Sequence, residues 1–258
     1  MNKPTNQQLV DVCIEAVKAA GTHALSNLHR REEVMESFDH DVKLVMDREC
    51  QTIAEELIHS HFPDHAILGE EGAIEKDHAF EWIVDPIDGT ANYKRGFSHW
   101  ACSVAVQCNG EILAGSIFVP PLNECYSATL DGPALCNGEP IHAAETPVLK
   151  QCTFFAGLTK DIDPRAVAFF SDMAPRVSKV RMLGSAAIDT CNVACGRSDG
   201  YFEPGLYFWD VAAGGLIARR AGALITEWPR DEEYGVRFLC TAPAVHDEIK
   251  ALVKTHFE

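Results

Sequence analysis

The sequence predicts a mixed α/β protein. Three observations carry that prediction: apolar residues at helical spacing open the chain, residues 98–130 read as a β-meander, and the second half alternates strand-like with helical segments. No internal repeat or low-complexity tract interrupts the pattern. A boundary between an N-terminal α+β domain (1–142) and a C-terminal α/β domain (143–258) is placed in the Gly-, Pro- and polar-rich stretch 131–150.

The first helix is predicted over 5–28, where Thr5 and Gln8 fit a capping box and Leu9, Val12, Cys13, Ala16, Val17 and Ala20 share a face. The stretch His29 to His40 is polar and charged and carries no element. A second helix covers roughly 46–61, with Cys50, Ile53, Ala54, Leu57 and Ile58 inward and Asp47 in its first turn, where the helix dipole favours a carboxylate. Ala66 to Leu68 reads as a short strand ending at Gly69, and Glu70-Glu71 as a solvated loop. His59, His61 and His65 lack a second ligand cluster, so they read as surface histidines rather than a zinc site.

Trp82-Ile83-Val84 reads as a buried strand, and the chain is expected to leave it at Pro86, which donates no hydrogen bond. Ala101 to Gln107 and Glu111 to Val119 flank Asn109-Gly110, a strong two-residue hairpin signal, and Glu124 to Thr129 forms a third strand. Beyond the boundary come a strand at Thr153 to Gly157, a helix near 164–174 and a strand at Val180 to Met182. A helix opened by Gly184-Ser185-Ala186-Ala187 follows, then a strand at Gly200 to Glu203 and a helix from Trp209-Asp210 to Ala221. Strands at Ala223 to Glu227 and Phe238 to Thr241 precede a terminal helix over 245–257.

Composition narrows the function. The formal charge of −16 over 258 residues argues against a protein that coats nucleic acid or an anionic membrane, and fits a chain that spends carboxylates on cations. No apolar run approaches membrane-spanning length, and MNKPTNQQLV lacks a signal-peptide pattern, so a soluble, cytoplasmic protein is expected. None of the ten cysteines forms a Cys-x-x-Cys pair, and most sit in apolar runs, which favours buried free thiols.

The chemistry concentrates in WIVDPIDGTANYKRGF, from Trp82 to Phe97. Asp85 and Asp88 lie three residues apart around a proline, then Gly89 permits close approach of a ligand, and Thr90 or Asn92 caps a following helix. Two carboxylates beside an anion cradle point to a divalent metal handling a phosphate. On its own Asp-Pro-x-Asp-Gly is also an ordinary turn, and Asp210 alone is an ordinary first-turn acid. Glu203, after Tyr201-Phe202, sits where binding residues often lie. No Ser-His-Asp order or Gly-x-Ser-x-Gly elbow offers a covalent nucleophile.

Taken together these motifs resemble the inositol monophosphatase family of lithium-sensitive, magnesium-dependent phosphatases. Gly69-Glu70-Glu71, DPIDGTANY from Asp85, GSAA from Gly184, GRSDGYFEPG from Gly196 and WDVAAGG from Trp209 arrive in family order over nearly the whole chain. The resemblance implies a layered αβαβα sandwich of the sugar-phosphatase type, a homodimer, and two to three Mg2+ ions per subunit. It implies metal ligands at Glu70, Asp85, Asp88, Asp210 and the Ile87 carbonyl. It gives Asp47, Glu70 and Thr90 catalytic roles in positioning or activating water, Gly89 and Thr90 amides to the phosphate, and Asp88, Ala186, Glu203 and Asp210 to the alcohol. The expected substrate is a small phosphorylated polyol, inositol monophosphate, with fructose 1,6-bisphosphate, 3′-phosphoadenosine 5′-phosphate or histidinol phosphate as alternatives within the superfamily. Neither nucleic acid nor membrane is expected as a partner. A regulatory binding role is the rival from another class, since some bacterial relatives act in RNA-linked complexes. Ala91, Ser98 and Arg220-Ala221-Gly222-Ala223 depart from the family pattern without removing a ligand.

Overall fold

A computed structural model describes residues 3–38, 41–76, 78–158 and 163–258. The polar stretch around His29 to His40 carries more structure than its composition promises. After helix α1 (Asn6–Ser26), Val34–Phe38 (β1) pairs antiparallel with Asp41–Leu44 (β2), and that hairpin feeds α2 (Val45–His61). Residues 39 and 40 of that stretch lie outside the described residues. The capping box on α1 is present: Thr5 Oγ1 accepts from the Gln8 N–H at 3.2 Å and the Thr5 N–H donates to Gln8 Oε1 at 2.9 Å.

An eight-stranded sheet follows. Ala66–Gly69 (β3), Gly72–Ile74 (β4), Phe80–Asp88 (β5), Ala101–Cys108 (β6), Glu111–Val119 (β7), Glu124–Thr129 (β8), Leu135–Cys136 (β9) and Glu139–Pro140 (β10) run in the order β10-β9-β8-β7-β6-β5-β3-β4. Among the described residues of this sheet, only β3 and β5 pair parallel. Asn109 and Gly110 both take positive φ, 51° and 83°, as the tight hairpin between β6 and β7 requires. A short helix α3 (Thr90–Arg95) sits between β5 and β6.

The second sheet has five strands: Thr153–Ala156 (β11), Lys179–Arg181 (β12), Gly200–Tyr207 (β13), Leu224–Pro229 (β14) and Gly235–Thr241 (β15), ordered β12-β11-β13-β15-β14. Four helices accompany it: Pro164–Met173 (α4), Ala186–Ala194 (α5), Phe208–Arg220 (α6) and His246–Phe257 (α7).

The layering follows from which helix faces are apolar. Helices α1 and α2 pack on each other and on the outer face of the large sheet. Helix α6 is buried over Val211 to Ala218, the pattern of a helix covered on every side, and it touches strands of both sheets while packing against α5. Helices α4 and α7 close the far face of the small sheet around Phe154, Phe169 and Phe202. Layers therefore succeed one another as helix, sheet, helix, sheet, helix, as expected of an αβαβα sandwich.

Two expectations are corrected. Strand β5 does not end at Pro86 but continues to Asp88; the ladder shifts register between Asp85 and Asp88, so the proline occupies an irregularity where no ladder bond is required of it. His65 is not a surface histidine. It is buried between the rings of Phe62 and Phe80, and its Nδ1 accepts a 3.0 Å hydrogen bond from Trp82 Nε1. All ten cysteines are free thiols, seven of them buried and Cys108, Cys136 and Cys195 half-buried. Among the described residues no helix is long and apolar enough to cross a membrane.

Candidate active site

The site forms where the carboxyl end of β5 meets the start of α6. Extending β5 through Pro86 carries Asp85 and Asp88 to the carboxyl end of this interior strand, and Asp210 arrives from the first turn of α6. One carboxylate oxygen from each of these three lies within 4.8 Å of the other two. They line a cavity of about 210 Å3 together with Glu70, Ile87, Gly89, Thr90, Ala91, Leu158, Glu203, Gly205, Leu206 and Tyr207. Two predicted residues stand behind the wall rather than on it. Asp47 is buried at the start of α2, and Ala186 is buried at the start of α5.

Each acid is held by its neighbours. Asp47 Oδ2 accepts the Leu44 N–H at 2.7 Å, and Asp210 Oδ2 accepts the Tyr207 N–H at 2.7 Å, so both first-turn acids cap their own helices. Asp88 is gripped by the beginning of α5: the Ser185 hydroxyl and the Ala187 N–H (2.9 Å) donate to Oδ2, and the Ala186 N–H donates to Oδ1 at 3.2 Å. Thr90 Oγ1 lies 2.9 Å from the Ile87 carbonyl and 3.5 Å from Asp47 Oδ1, and shares its single proton between them. Tyr201 Oη donates to Glu203 at 2.7 Å.

Asp85 differs from the rest. Its Oδ1 is buried without a hydrogen-bond partner. Burial, and then the charges of Glu70, Asp88 and Asp210, push its pKa well above the carboxylate range. Asp210 is raised likewise, by burial and then by Glu70 and Asp88. Burial lifts Asp88 to about 6 against the pull of Ser185 and the α5 amides, and lifts Asp47 and Glu203 to about 8 each. Mutually repelling carboxylates around an orphaned buried oxygen are the electrostatic signature of a cation site. An all-oxygen donor set suits a hard divalent ion such as Mg2+, and the residues fit it.

The turn after Asp88 is shaped for close approach. Gly89 has φ of +87°, and a Cβ there would lie 2.9 Å from the His99 carbonyl and 3.2 Å from that of Gly184. Gly89, not Thr90 or Asn92, occupies the cap position of α3. Asn92 has another task. Its Nδ2 donates to the carbonyls of His99 (2.8 Å), Leu183 (2.8 Å) and Gly184 (3.1 Å), which ties α3 to the segment leading into α5. His99 Nε2 meets the buried Asp189 Oδ1 at 3.2 Å across the same junction.

Glu71, expected in a solvated loop with Glu70, is buried instead. Its carboxylate pairs with Lys43 (3.2 Å) and Arg48 (3.9 Å), and its N–H donates to Gln51 Oε1 at 2.8 Å. Glu70 keeps to the cavity wall, with its N–H on the Val84 carbonyl at 3.1 Å. Sequence reasoning read Asn92 only as a candidate helix cap and did not find Ser185, His99, Asp189, Leu158 or Tyr207. Of these, only Ser185 carried a usable signal, a serine at a predicted helix start.

Comparison with known proteins finds relatives along nearly the whole chain. The profile described as the inositol monophosphatase family matches residues 5–257. The chain is 35% identical over 235 residues to the Nus factor SuhB of Vibrio cholerae, covering 88% of this chain and 87% of that one. It is 34% identical over 215 residues to the fructose-1,6-bisphosphatase/inositol-1-monophosphatase of Thermotoga maritima, covering 83% and 82%. Among solved structures it is similar to a Thermotoga maritima IMPase, with a TM-score of 0.86 at 32% identity over 95% of this chain and 96% of that chain.

Proposed function

Because this chain belongs to the inositol monophosphatase family, we propose that it is a magnesium-dependent phosphomonoesterase that hydrolyses inositol monophosphate to inositol and phosphate. The observation that carries the reading is the convergence of Asp85, Asp88 and Asp210, with an orphaned Asp85 oxygen, beside the open turn at Gly89. Glu70, Asp85, Asp88, Asp210 and the Ile87 carbonyl would hold two to three Mg2+ ions. When bound, these supply charge neutralisation for the phosphoryl group and an acidified water.

The chain's own residues do the rest. Gly89 and Thr90 present first-turn amides, which have no intrahelical acceptor, to the phosphate oxygens. Thr90 Oγ1 takes the proton of the attacking water as it passes its own to Asp47 Oδ1. Asp47 Oδ1, 3.5 Å from Thr90 Oγ1, is the carboxylate oxygen placed to receive that proton. Asp88 and Asp210 orient the alcohol, and Glu203, fixed by Tyr201, accepts from its hydroxyls. Positioning and charge neutralisation suffice for phosphoryl transfer, so no covalent nucleophile is needed.

The test is phosphate release from inositol 1-phosphate, fructose 1,6-bisphosphate and 3′-phosphoadenosine 5′-phosphate, with magnesium, with EDTA and with lithium. Magnesium-dependent, lithium-sensitive release fastest from the inositol ester is expected; faster release from another ester would move the substrate and keep the site. A second reading, a regulatory binding protein, draws on the similarity to the protein named Nus factor SuhB. Absence of hydrolysis with any ester would favour it.

A further inference from the structure

We propose that Tyr207, backed by Trp209 and Tyr234, forms a subsite for a ring in the leaving alcohol, so that the site selects phosphate esters of cyclic alcohols with a flat apolar face over acyclic ones. This rests on the phosphatase reading and adds to it the shape of the alcohol.

The cavity is chemically two-sided. Carboxylates and the Gly89–Ala91 turn make one part of the wall, and Leu158, Leu206 and Tyr207 make another. Beyond the irregularity in β13, where pairing with β15 shifts between Glu203 and Leu206, the partly exposed positions of the strand are Glu203, Gly205 and Tyr207. A hydroxyl-seeking carboxylate and an aromatic ring therefore come to one wall on a single strand.

The Tyr207 ring is not a lone aromatic. It stacks on Trp209 with centroids 5.0 Å apart and planes 11° from parallel, and Trp209 meets Tyr234 at 6.0 Å. Trp209 covers one face of Tyr207, and the residue remains half-exposed on the cavity wall. A ring backed in this way is a rigid platform, the arrangement that accepts flat partners at little entropic cost.

Tyr234 holds the outer edge of the platform under constraint. It is 47% exposed and adopts φ of +59°, an uncommon conformation for a bulky side chain and one that persists only where surrounding structure enforces it. Its carbonyl accepts the Phe208 N–H at 2.9 Å, which fastens the β14–β15 turn to the start of the helix that carries Asp210. Leu158, 36% exposed, adds a further apolar surface to the same cavity.

Flat apolar faces come from two sources, the C–H face of a cyclitol or sugar and the face of a nucleobase. The test uses three secondary phosphate esters, matched in leaving-group type: inositol 1-phosphate, adenosine 2′-phosphate and glycerol 2-phosphate. Steady-state constants are measured with magnesium for the unaltered protein, Tyr207→Phe and Tyr207→Leu. The unaltered protein is expected to favour at least one ring ester over glycerol 2-phosphate in kcat/KM. Tyr207→Leu is expected to cut that preference about tenfold, mainly through KM, as loss of one stacking partner does, and Tyr207→Phe to preserve it. The ester that loses most identifies the source. Equal use of ring and acyclic esters, or an equal loss on all three in Tyr207→Leu, would overturn the subsite while leaving the phosphatase reading intact. No release from any ester would overturn the phosphatase reading itself, and the subsite with it.

Discussion

Ser185 donates its hydroxyl proton to the carboxylate of Asp88, joining residues 97 positions apart and clamping the end of β5 to the start of α5. The same oxygen accepts the Ile188 N–H as a helix cap. Ser185→Ala removes a charge-assisted hydrogen bond and a cap together. It is expected to cost about 1–3 kcal/mol in stability by urea denaturation and to lower kcat/KM about tenfold. An unchanged magnesium dependence with unchanged turnover would show that Asp88 needs no such clamp.

Asp85→Asn removes one carboxylate from a cluster of mutually repelling acids. Activity is expected to fall by more than about a hundredfold, while the thermal midpoint in EDTA is at least as high as that of the unaltered protein. Magnesium is expected to raise the midpoint of the unaltered protein by binding the native state, and that rise to be lost in Asp85→Asn. Calorimetry with and without the ion checks both halves.

Gly89→Ala places a methyl group against two backbone carbonyls that have nowhere to go, in a conformation alanine avoids. A loss of about 1–3 kcal/mol is expected, with a raised KM for the phosphate ester. Chemical denaturation and steady-state kinetics on one preparation separate the two effects.

His65 sets an acid limit on stability. Burial, and then the neighbouring His78, push its pKa down to about 4, against about 6.5 in an unfolded chain. Between those values the unfolded chain binds more protons than the native one, so stability falls as pH is lowered from about 6.5 to 4. His65→Asn, which retains an acceptor for Trp82, should lose this part of the acid sensitivity. Urea midpoints at pH 4.5, 5.5 and 7.5 would reveal an unaltered slope if the histidine plays no part.

Many strand and helix positions beyond residue 98 were legible because period-2 and period-3.6 patterns there are bounded by Gly, Pro and Asn: β7 and β8 fall where Glu111–Val119 and Glu124–Thr129 placed them, whereas the two-residue strands β9 and β10 inside the polar stretch 131–150 carried no pattern to read. The β1–β2 hairpin was not, since β1 mixes apolar and charged residues without clean alternation and the hairpin is set in a polar stretch, so its pairing is decided by what lies beside it. The run through Pro86 was not, because a local rule about proline yields to a register shift that only the neighbouring strand reveals. Asp85, Asp88 and Asp210 were readable as types at motif positions. Ser185, which orients Asp88, and the Asn92 and His99–Asp189 ties that brace the same junction of two sheets were not, because no spacing in one dimension encodes those contacts.

The order of the acids along the chain sets a sequence of events during synthesis. Asp85 and Asp88 leave the ribosome on β5 well before Asp210, which is carried by α6. At the pace of translation that interval lasts many seconds. A nascent or truncated chain holds an incomplete set of these acids, and the full set closes only after α6 has seated between the two sheets. On the proposed function, cation capture would therefore come as a late latch on the finished molecule, favouring complete chains over fragments without a separate checkpoint.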